Sequence, residues 1–165
     1  MDRFEYQRIW ALSPILNVGC KEDPAGLRSF VGTIHIDLHD YDEQQGGKLN
    51  IPNLVLGSAL NLPFRNKSFS TVVAAELIEH IAEEQISNAF AEFTRIAKER
   101  IIVTAPRDDR IGLFADPFHK TLVTEEKIRG WIQETRWHIL DWHAGLLYHL
   151  EPIGPAFGFW FTLAP

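Results

Sequence analysis

The chain has 165 residues, of which 45% are hydrophobic and 23% charged, and these proportions predict a single soluble domain over residues 1–165. Its net charge of −6 argues against the broad basic surface by which proteins bind nucleic acids or anionic membranes. No apolar run approaches the ~20 residues of a membrane span, and Cys20, the only cysteine, excludes an internal disulfide and a four-cysteine zinc site.

The predicted elements alternate between short strands and helices. A short helix within residues 3–12 ends at Ser13-Pro14. An amphipathic helix over 83–98 has its apolar residues at helical spacing, and Thr124 is placed to cap a further helix that begins at Glu125. Apolar or β-branched runs predict strands over residues 15–18, 33–37, 54–57, 69–75, 100–105, 137–142 and 157–163.

The strand pattern predicts an α/β fold with a doubly wound, mostly parallel sheet. Most of the strands are continuous apolar runs, as expected where helices cover both faces of a sheet. Helices between the strands indicate βαβ units. The stretch 39–53 contains Gly46-Gly47 and Pro52 but no apolar stripe, and we predict a loop or a very short helix there.

The turn after the first strand is the first candidate ligand site. In a doubly wound sheet, ligands bind beyond the carboxyl ends of the strands, near the point where strand order reverses. Gly19 ends the first predicted strand and Asp37 ends the second, close to the spacing of a dinucleotide fingerprint. The other glycines of that fingerprint are absent, and Glu22 and Asp23 stand where a pyrophosphate needs bare amides. The turn therefore disfavours NAD or FAD and favours a nucleoside-type ligand without phosphates, whose ribose Asp37 can hold.

A longer stretch of the sequence resembles a known family. It contains Gly57-Ser58-Ala59, then Leu62-Pro63-Phe64, a short polar turn, the strand at 69–75, and finally Glu76-Leu77-Ile78-Glu79-His80. This order of motifs resembles the class I S-adenosylmethionine-dependent methyltransferases, over roughly residues 13–142. The resemblance implies a Rossmann-like, seven-stranded sheet with reduced helices, an S-adenosylmethionine cofactor and methyltransferase activity.

The resemblance also implies a role for each residue of a cofactor site. Asp37 would hold the ribose, Leu38 would pack on the adenine, and Glu76 would lie near the transferred methyl group. Backbone atoms around the first turn would face the methionine part of the cofactor. The implied cofactor-binding residues are Asn17, Val18, Gly19, Asp37, Leu38, Ser58, Ala59, Leu60 and Glu76.

Three departures from the family pattern fall in this site. Asn17 replaces the usual acid of the first motif, Lys21 and Asp23 replace its later glycines, and Ser58 replaces an acid that contacts the adenine. Each departure removes a polar contact worth about 1 kcal/mol. We therefore expect weaker cofactor binding than is usual in the family, or a pocket that has diverged.

Glu76, Glu79, His80 and His119 form a second implied group. Some metal-assisted O-methyltransferases, which act on small RNA or in the ubiquinone pathway, have a similar Glu-x-x-Glu-His followed by a later histidine. By that similarity the four residues could ligate Mg²⁺ or another divalent ion, which pulls a hydroxyl nucleophile toward its alkoxide. The candidate catalytic residues are Glu76, His80 and His119, with a histidine as general base. The alternative is that the Glu-His pair only packs or hydrogen-bonds near the pocket, without any metal.

The sequence leaves the methyl acceptor open. The acidic net charge favours a small molecule over nucleic acid, and Arg107, Arg110 and Lys120 are candidates to meet an anionic acceptor. A site without a cap domain also suits a homodimer that completes the pocket. Two other functions stay possible: a non-catalytic scaffold on the same fold, and a nicotinamide-dependent oxidoreductase, which the missing glycines disfavour. The single cysteine and an N-terminus unlike a signal peptide predict a cytoplasmic protein without membrane contact.

Overall fold

The computed structural model describes residues 3–20, 32–42, 46–48, 50–107, 118–150 and 154–165. Within these ranges the helices are α1 (Arg3–Trp10), α2 (Glu83–Ile96) and α3 (Glu125–Gln133), and a 3₁₀ turn covers Ile78–His80. The strands are β1 (Ile15–Val18), β2 (Ile34–Asp37), β3 (Tyr41–Asp42), β4 (Gly47–Lys48), β5 (Leu54–Leu56), β6 (Phe69–Ala75), β7 (Ala97–Pro106), β8 (His138–Leu150) and β9 (Gly154–Ala164). No helix in the described part of the chain is long and apolar enough to cross a membrane.

Seven strands form one sheet in the order β5-β2-β1-β6-β7-β9-β8. The first five strands in this order run parallel, and β9 pairs antiparallel with both β7 and β8. The chain leaves the inner strand β1 for β2 and β5 on one side and later returns to place β6 on the other side. Strand order therefore reverses between β1 and β6, which is where a doubly wound sheet leaves a crevice for a ligand. The predicted mostly parallel sheet is confirmed.

Different helices cover the two faces of the sheet. α2 and α3 pack on the face that carries alternate strand residues such as Leu16 and Val72, and together they form the larger core. Thr124 caps α3 as predicted, because its side chain accepts a hydrogen bond from the Lys127 amide. On the opposite face, α1 contributes Tyr6 to a smaller buried cluster with Ile15, Val73, Ile102 and Trp160.

Tyr6 connects α1 to strand β9 of the sheet. Its side chain is fully buried, and its hydroxyl lies 2.9 Å from Thr162 Oγ1 on β9. Burial raises the pKa of the Tyr6 phenol, so the hydroxyl stays protonated at neutral pH and can donate a hydrogen bond. Polar contacts of the Tyr6 hydroxyl therefore add to the apolar packing that holds the helix on the sheet.

The segment 39–53 contains a hairpin that the sequence did not predict. β3 and β4 pair antiparallel, with Tyr41 opposite Lys48 and Asp42 opposite Gly47. Strands of two residues are too short to show an apolar alternation, so the prediction of a loop or short helix was wrong at these positions. Gly46 precedes β4 with a φ of +68°, a conformation that glycine adopts without strain.

The last two strands extend further than the apolar runs that predicted them. Pro106, the final residue of β7, pairs with Gly158, so residues 154–157 of β9 lie beyond the carboxyl end of β7. Four strand residues at about 3.3 Å each span roughly 13 Å. The β8–β9 hairpin therefore overhangs the sheet edge at which the crevice lies.

Arg95 of α2 fixes the loop between β5 and β6. Its guanidinium donates to the carbonyl oxygens of Phe64 at 2.8 Å and Leu62 at 3.0 Å, and also to the Glu92 carboxylate. Glu92 in turn accepts a hydrogen bond from the Leu62 amide at 2.7 Å. Hydrogen bonding from Arg95 holds the pKa of the Glu92 carboxyl below its usual value. Charged hydrogen bonds therefore hold the Leu62-Pro63-Phe64 motif on α2.

Replacing Arg95 with alanine is expected to lower the free energy of unfolding by roughly 2–3 kcal/mol, because two carbonyl oxygens and a carboxylate lose their donor. The matched Arg129→Ala change removes an exposed pair with Glu125 and a cation–π contact with Trp142, whose ring centroid lies 5.0 Å from Arg129 Cζ, and we expect a loss of about 1 kcal/mol. Urea denaturation of both variants at pH 7 measures the difference. Equal losses in the two variants would contradict this role for Arg95.

The same interaction predicts a pH dependence. Because the pKa of Glu92 is lower in the folded than in the unfolded chain, its stabilising contribution is present at neutral pH. That contribution declines as the pH falls through the folded-state pKa. The stability difference between the wild type and Arg95→Ala should therefore shrink in acid, and a difference that grows instead would show that the Glu92 carboxylate is not the partner that matters.

Candidate active site

The carboxyl ends of β1, β2 and β5 meet side by side at one edge of the sheet. Two backbone hydrogen bonds continue the pairing past the strands: the Gly19 amide donates to Ile36 O and the Gly57 amide donates to Asp37 O, each at 2.9 Å. These bonds place Asp37 between two glycines. The backbone of two glycines therefore flanks Asp37 at this edge.

The position of Gly19 has no room for a side chain. Its φ is +71°, and a Cβ built on it would lie 2.7 Å from Leu77 Cδ1. Gly57 is similarly confined, since a Cβ there would lie 2.8 Å from Ile36 Cδ1. The first turn therefore requires its glycine although the later glycines of the fingerprint are absent.

Exposed apolar side chains accompany Asp37. The carboxylate is partly exposed, with Oδ1 3.5 Å from the His39 amide. Leu38 is 63% exposed, and Leu56, the register partner of Asp37 on β5, is 55% exposed. An acceptor of hydrogen bonds with apolar surface beside it is the arrangement expected for a sugar bound next to a flat base.

Ser58, Ala59 and Leu60 form a turn after β5. The amide of Leu60 donates to Ser58 Oγ and the amide of Asn61 donates to Ser58 O, both at 3.1 Å. The Ser58 hydroxyl therefore stabilises its own turn and keeps a proton and a second lone pair for a ligand. Ala59 and Leu60 pack against the larger core, which fixes the turn beside the Asp37 edge.

Asn17 lies inside the sheet rather than at its edge. Its side chain is fully buried, and its Nδ2 lies 3.2 Å from Nδ1 of His35, its register partner on β2. His35 was missed by the sequence reasoning, and its position two residues before Asp37 on the same strand face was the available signal. Val18 is also buried, so it can offer only backbone atoms to a ligand.

Glu76 turns the chain at the end of β6. It is buried, and its φ of +49° is a left-handed conformation that is rare for a non-glycine residue. Its amide donates to Thr104 O at 2.9 Å, and its Oε1 accepts a hydrogen bond from Thr104 Oγ1 at 2.8 Å. The Glu76 carboxylate is thus held between β6 and β7. Thr104 had not been predicted as a site residue.

Glu79, His80 and His119 come together beside this turn. Their ligand atoms all lie within 4.8 Å of one another, and the two imidazole rings have centroids 4.9 Å apart. His80 Nδ1 lies 3.3 Å from Phe118 O, so Nδ1 donates and Nε2 keeps its lone pair. A backbone carbonyl that orients a histidine in this way is typical of metal-ligating and general-base imidazoles. Glu76, the fourth predicted ligand, is not in this group.

Of the other residues named from the sequence, two are exposed and four lie outside the described residues. Arg107 follows the last residue of β7 and is exposed, and Lys120 is exposed next to His119. Lys21, Glu22, Asp23 and Arg110 lie outside the residues that the structure describes.

Comparison with known proteins finds a methyltransferase family model that resembles part of the chain. A family model described as a methyltransferase domain matches residues 27–103. A search of curated protein sequences gave no match. The family match covers β2 and β5 with their Asp37 and Ser58 positions, and continues through the 3₁₀ turn and α2 into β7.

Several solved structures share the fold. An S-adenosylmethionine-dependent methyltransferase from Methanosarcina mazei aligns over 99% of this chain and 98% of its own, with 14% identity and a TM-score of 0.74. One from Archaeoglobus fulgidus aligns over 92% and 85%, with 14% identity and a TM-score of 0.63. The small RNA methyltransferase HEN1 aligns over 98% of this chain but 24% of its own, with 17% identity and a TM-score of 0.68. At these identities the likeness establishes the fold. Since the family model matches less than half of the chain, the comparisons show what the chain is similar to: a methyltransferase domain, on the fold of S-adenosylmethionine-dependent methyltransferases.

Proposed function

We propose that the chain transfers a methyl group from S-adenosylmethionine to a small-molecule acceptor. The observation that carries this proposal is the pairing of Gly19 and Asp37 at the carboxyl edge, next to the point where strand order reverses. A glycine confined by Leu77 and a partly exposed carboxylate fit an adenosine ligand whose sugar needs a hydrogen-bond acceptor.

The proposed binding roles rest on the family resemblance and are supported by the exposure of Asp37 and Leu38 at this edge. Asp37 accepts hydrogen bonds from the ribose hydroxyls, and Leu38 packs against the adenine. The hydroxyl of Ser58 meets the adenine amino group, and backbone atoms of residues 17–19 face the methionine part. Since Ser58 and Asn17 stand where acids are usual, the site makes fewer charged hydrogen bonds, and we expect a cofactor affinity below the family norm.

Methyl transfer mainly requires that the acceptor atom and the methyl carbon be aligned. Bound S-adenosylmethionine supplies a methyl carbon on a positively charged sulfur. The chain has to hold the acceptor in line with that carbon. The proposed role of Glu76, which Thr104 fixes at the end of β6, is to orient the reacting groups. With a hydroxyl acceptor, the oxygen bonds the methyl carbon while the carbon–sulfur electron pair stays on sulfur. The hydroxyl proton passes to the group formed by Glu79, His80 and His119.

The group of Glu79, His80 and His119 supports a second component of the proposal, a divalent metal ion. One buried carboxylate and two imidazoles with ligand atoms within 4.8 Å make a donor set that fits such an ion. A bound ion would lower the pKa of the acceptor hydroxyl. The alternative is that the same histidines act as general bases without an ion.

The partner class follows from charge and from the open edge. HEN1 is named for small RNA, but the net charge of −6 favours a small acceptor for this chain. We propose that residues 1–165 work as one methyltransferase domain. A homodimer that completes the site and a cytoplasmic location both stay predictions. The competing function, a non-catalytic scaffold, requires that the site bind no cofactor.

Asp37→Asn is expected to weaken S-adenosylhomocysteine binding roughly 10- to 100-fold, because a neutral amide replaces the charged acceptor of the two ribose hydrogen bonds. The matched control is Glu99→Gln, which makes the same charge change on an exposed part of β7. Isothermal calorimetry measures both. If the wild type binds no ligand at millimolar concentration, the scaffold function is favoured. If Asp37→Asn binds as tightly as the wild type, the ribose site lies elsewhere.

His119→Ala is expected to weaken Mn²⁺ binding at least tenfold, because it removes one of three ligands. His138→Ala is the control, since that exposed histidine of β8 lies outside the group. Calorimetry with MnCl₂ on the full chain provides the measurement. A wild type that does not bind Mn²⁺, or an unchanged His119→Ala, argues for general-base histidines instead of a metal site.

A further inference from the structure

A cleft lies between α2 and the segment that leads into β8. Its volume is about 400 Å³, within the roughly 300–1,000 Å³ that is usual for small-molecule sites. One wall is a face of α2 that carries Ser87, Ala91, Thr94 and Arg95 at helical spacing, and the other wall is formed by residues 134–137. The space between the two walls is therefore large enough for a small molecule.

This cleft lies toward the edge of the sheet opposite the candidate active site. Trp137 directly precedes β8, and its ring centroid lies 5.1 Å from Lys67 Nζ. Lys67 precedes β6, and its ammonium donates to the carbonyl oxygen of Ala97, the first residue of β7, at 2.8 Å. Because β6 and β7 run parallel, Trp137 lies near their amino ends, whereas Glu76 follows the carboxyl end of β6. The seven residues of β6 span roughly 20 Å, so the cleft is separate from the crevice.

Hydrogen bonds fix both walls. All five N–H groups of Arg95 are committed, to Glu92, to Asn66 and to two backbone carbonyl oxygens. Arg95 therefore shapes the α2 wall and keeps no donor for a ligand. On the facing wall, Thr135 Oγ1 donates to a carbonyl oxygen in the last turn of α3 at 2.8 Å and accepts from the Trp137 amide at 3.1 Å. The backbone on either side of Thr135 is therefore held in place.

Two opposite charges flank Thr135 and line the same cleft. Glu134 and Arg136 are both exposed, and the Ser87 hydroxyl faces them from α2. Within the part of the chain that the structure describes, none of these three side chains has a hydrogen bond or an ion pair. The cleft thus offers a cation, an anion and a hydroxyl to a ligand.

The rest of the lining narrows the class of ligand. Trp137 and Ala91 add apolar surface between the charged groups, and the indole is held in place by its burial. The carboxylate of Glu134 disfavours a phosphate dianion by like-charge repulsion. A zwitterion with an apolar substituent complements all of these groups at once.

We propose that this cleft binds a free α-amino acid with an apolar side chain. The carboxylate of the amino acid meets the Arg136 guanidinium and the Ser87 hydroxyl, and its ammonium meets Glu134. Its side chain packs against Trp137 and Ala91. The site is separate from the proposed methyl-transfer site, and the inference does not rest on that function.

The test uses L-phenylalanine as a probe on the full chain, with ligand-observed NMR titration to give its affinity. Arg136→Gln is expected to weaken binding roughly fivefold, because the carboxylate loses its cation, and Glu134→Gln is expected to do the same through the ammonium. The control Arg65→Gln makes the same charge change at an exposed residue outside the cleft, and it should leave the affinity unchanged within about twofold.

Two truncated ligands separate the charges. 3-Phenylpropanoate lacks the ammonium and 2-phenylethylamine lacks the carboxylate, so each is expected to bind roughly fivefold more weakly than L-phenylalanine. Arg136→Gln should leave the binding of 2-phenylethylamine unchanged, and Glu134→Gln should leave that of 3-phenylpropanoate unchanged.

Three outcomes overturn the proposal. They are the absence of L-phenylalanine binding at millimolar concentration, equal binding of L-phenylalanine and either truncated ligand, and an unchanged affinity in Arg136→Gln. Displacement of L-phenylalanine by S-adenosylhomocysteine would also overturn it, because the amino acid would then lie in the crevice. A chain that binds L-phenylalanine but no S-adenosylhomocysteine would support this site while contradicting the proposed methyl transfer.

Discussion

The parallel pairing of β1 between β2 and β6 is the constraint on which the rest of the structure depends. All four residues of β1 are buried, and the strand is hydrogen-bonded on both sides. Parallel strands need a crossover between them, so the carboxyl ends of β2, β1 and β6 arrive at the same edge. Because the chain goes outward from β1 in one direction and later in the other, no crossover covers the edge at this point. Gly19, Asp37 and Glu76 reach one crevice for this reason, although they are far apart in the sequence.

The two sides of the crevice are built by different means. On the cofactor side, regular backbone pairing continues past the strands into Gly19 and Gly57, so the position of Asp37 follows from the sheet. On the acceptor side, the left-handed conformation of Glu76 ends β6, and the chain then enters the 3₁₀ turn. Hydrogen bonds from segment 118–121 hold this turn. Under the proposed function, a rigid sheet carries the part that binds the cofactor, and irregular backbone carries the part that meets the acceptor.

The sequence predicts well whatever depends on local pattern. β1 and β6 were found as apolar runs, and α3 was found from its cap, because burial and capping act within a few residues. The β3–β4 hairpin has only two residues in each strand and no apolar pattern, so pairing across the turn decides its structure. The overhang of β8 and β9 begins near Gly154-Pro155, where sequence rules expect a strand to end.

The site shows the same division. Gly19 and Asp37 were predicted from their spacing, since consecutive parallel strands place their ends together. His35 and Thr104 were missed because their contacts with predicted residues come from register across the sheet. The resemblance implied four metal ligands, with Glu76 beside Glu79, His80 and His119. The positive φ of Glu76 instead turns its carboxylate to Thr104, and three of the four residues come together.

The central claim is that adenosine binds at this edge with its ribose on Asp37. A crystal structure of the chain with S-adenosylhomocysteine tests it most directly. The account predicts that both ribose hydroxyls lie within hydrogen-bond distance of the Asp37 carboxylate, with the adenine against Leu38 and the sulfur toward Glu76. Ligand density at another surface, or in the crevice with the ribose away from Asp37, would contradict the account.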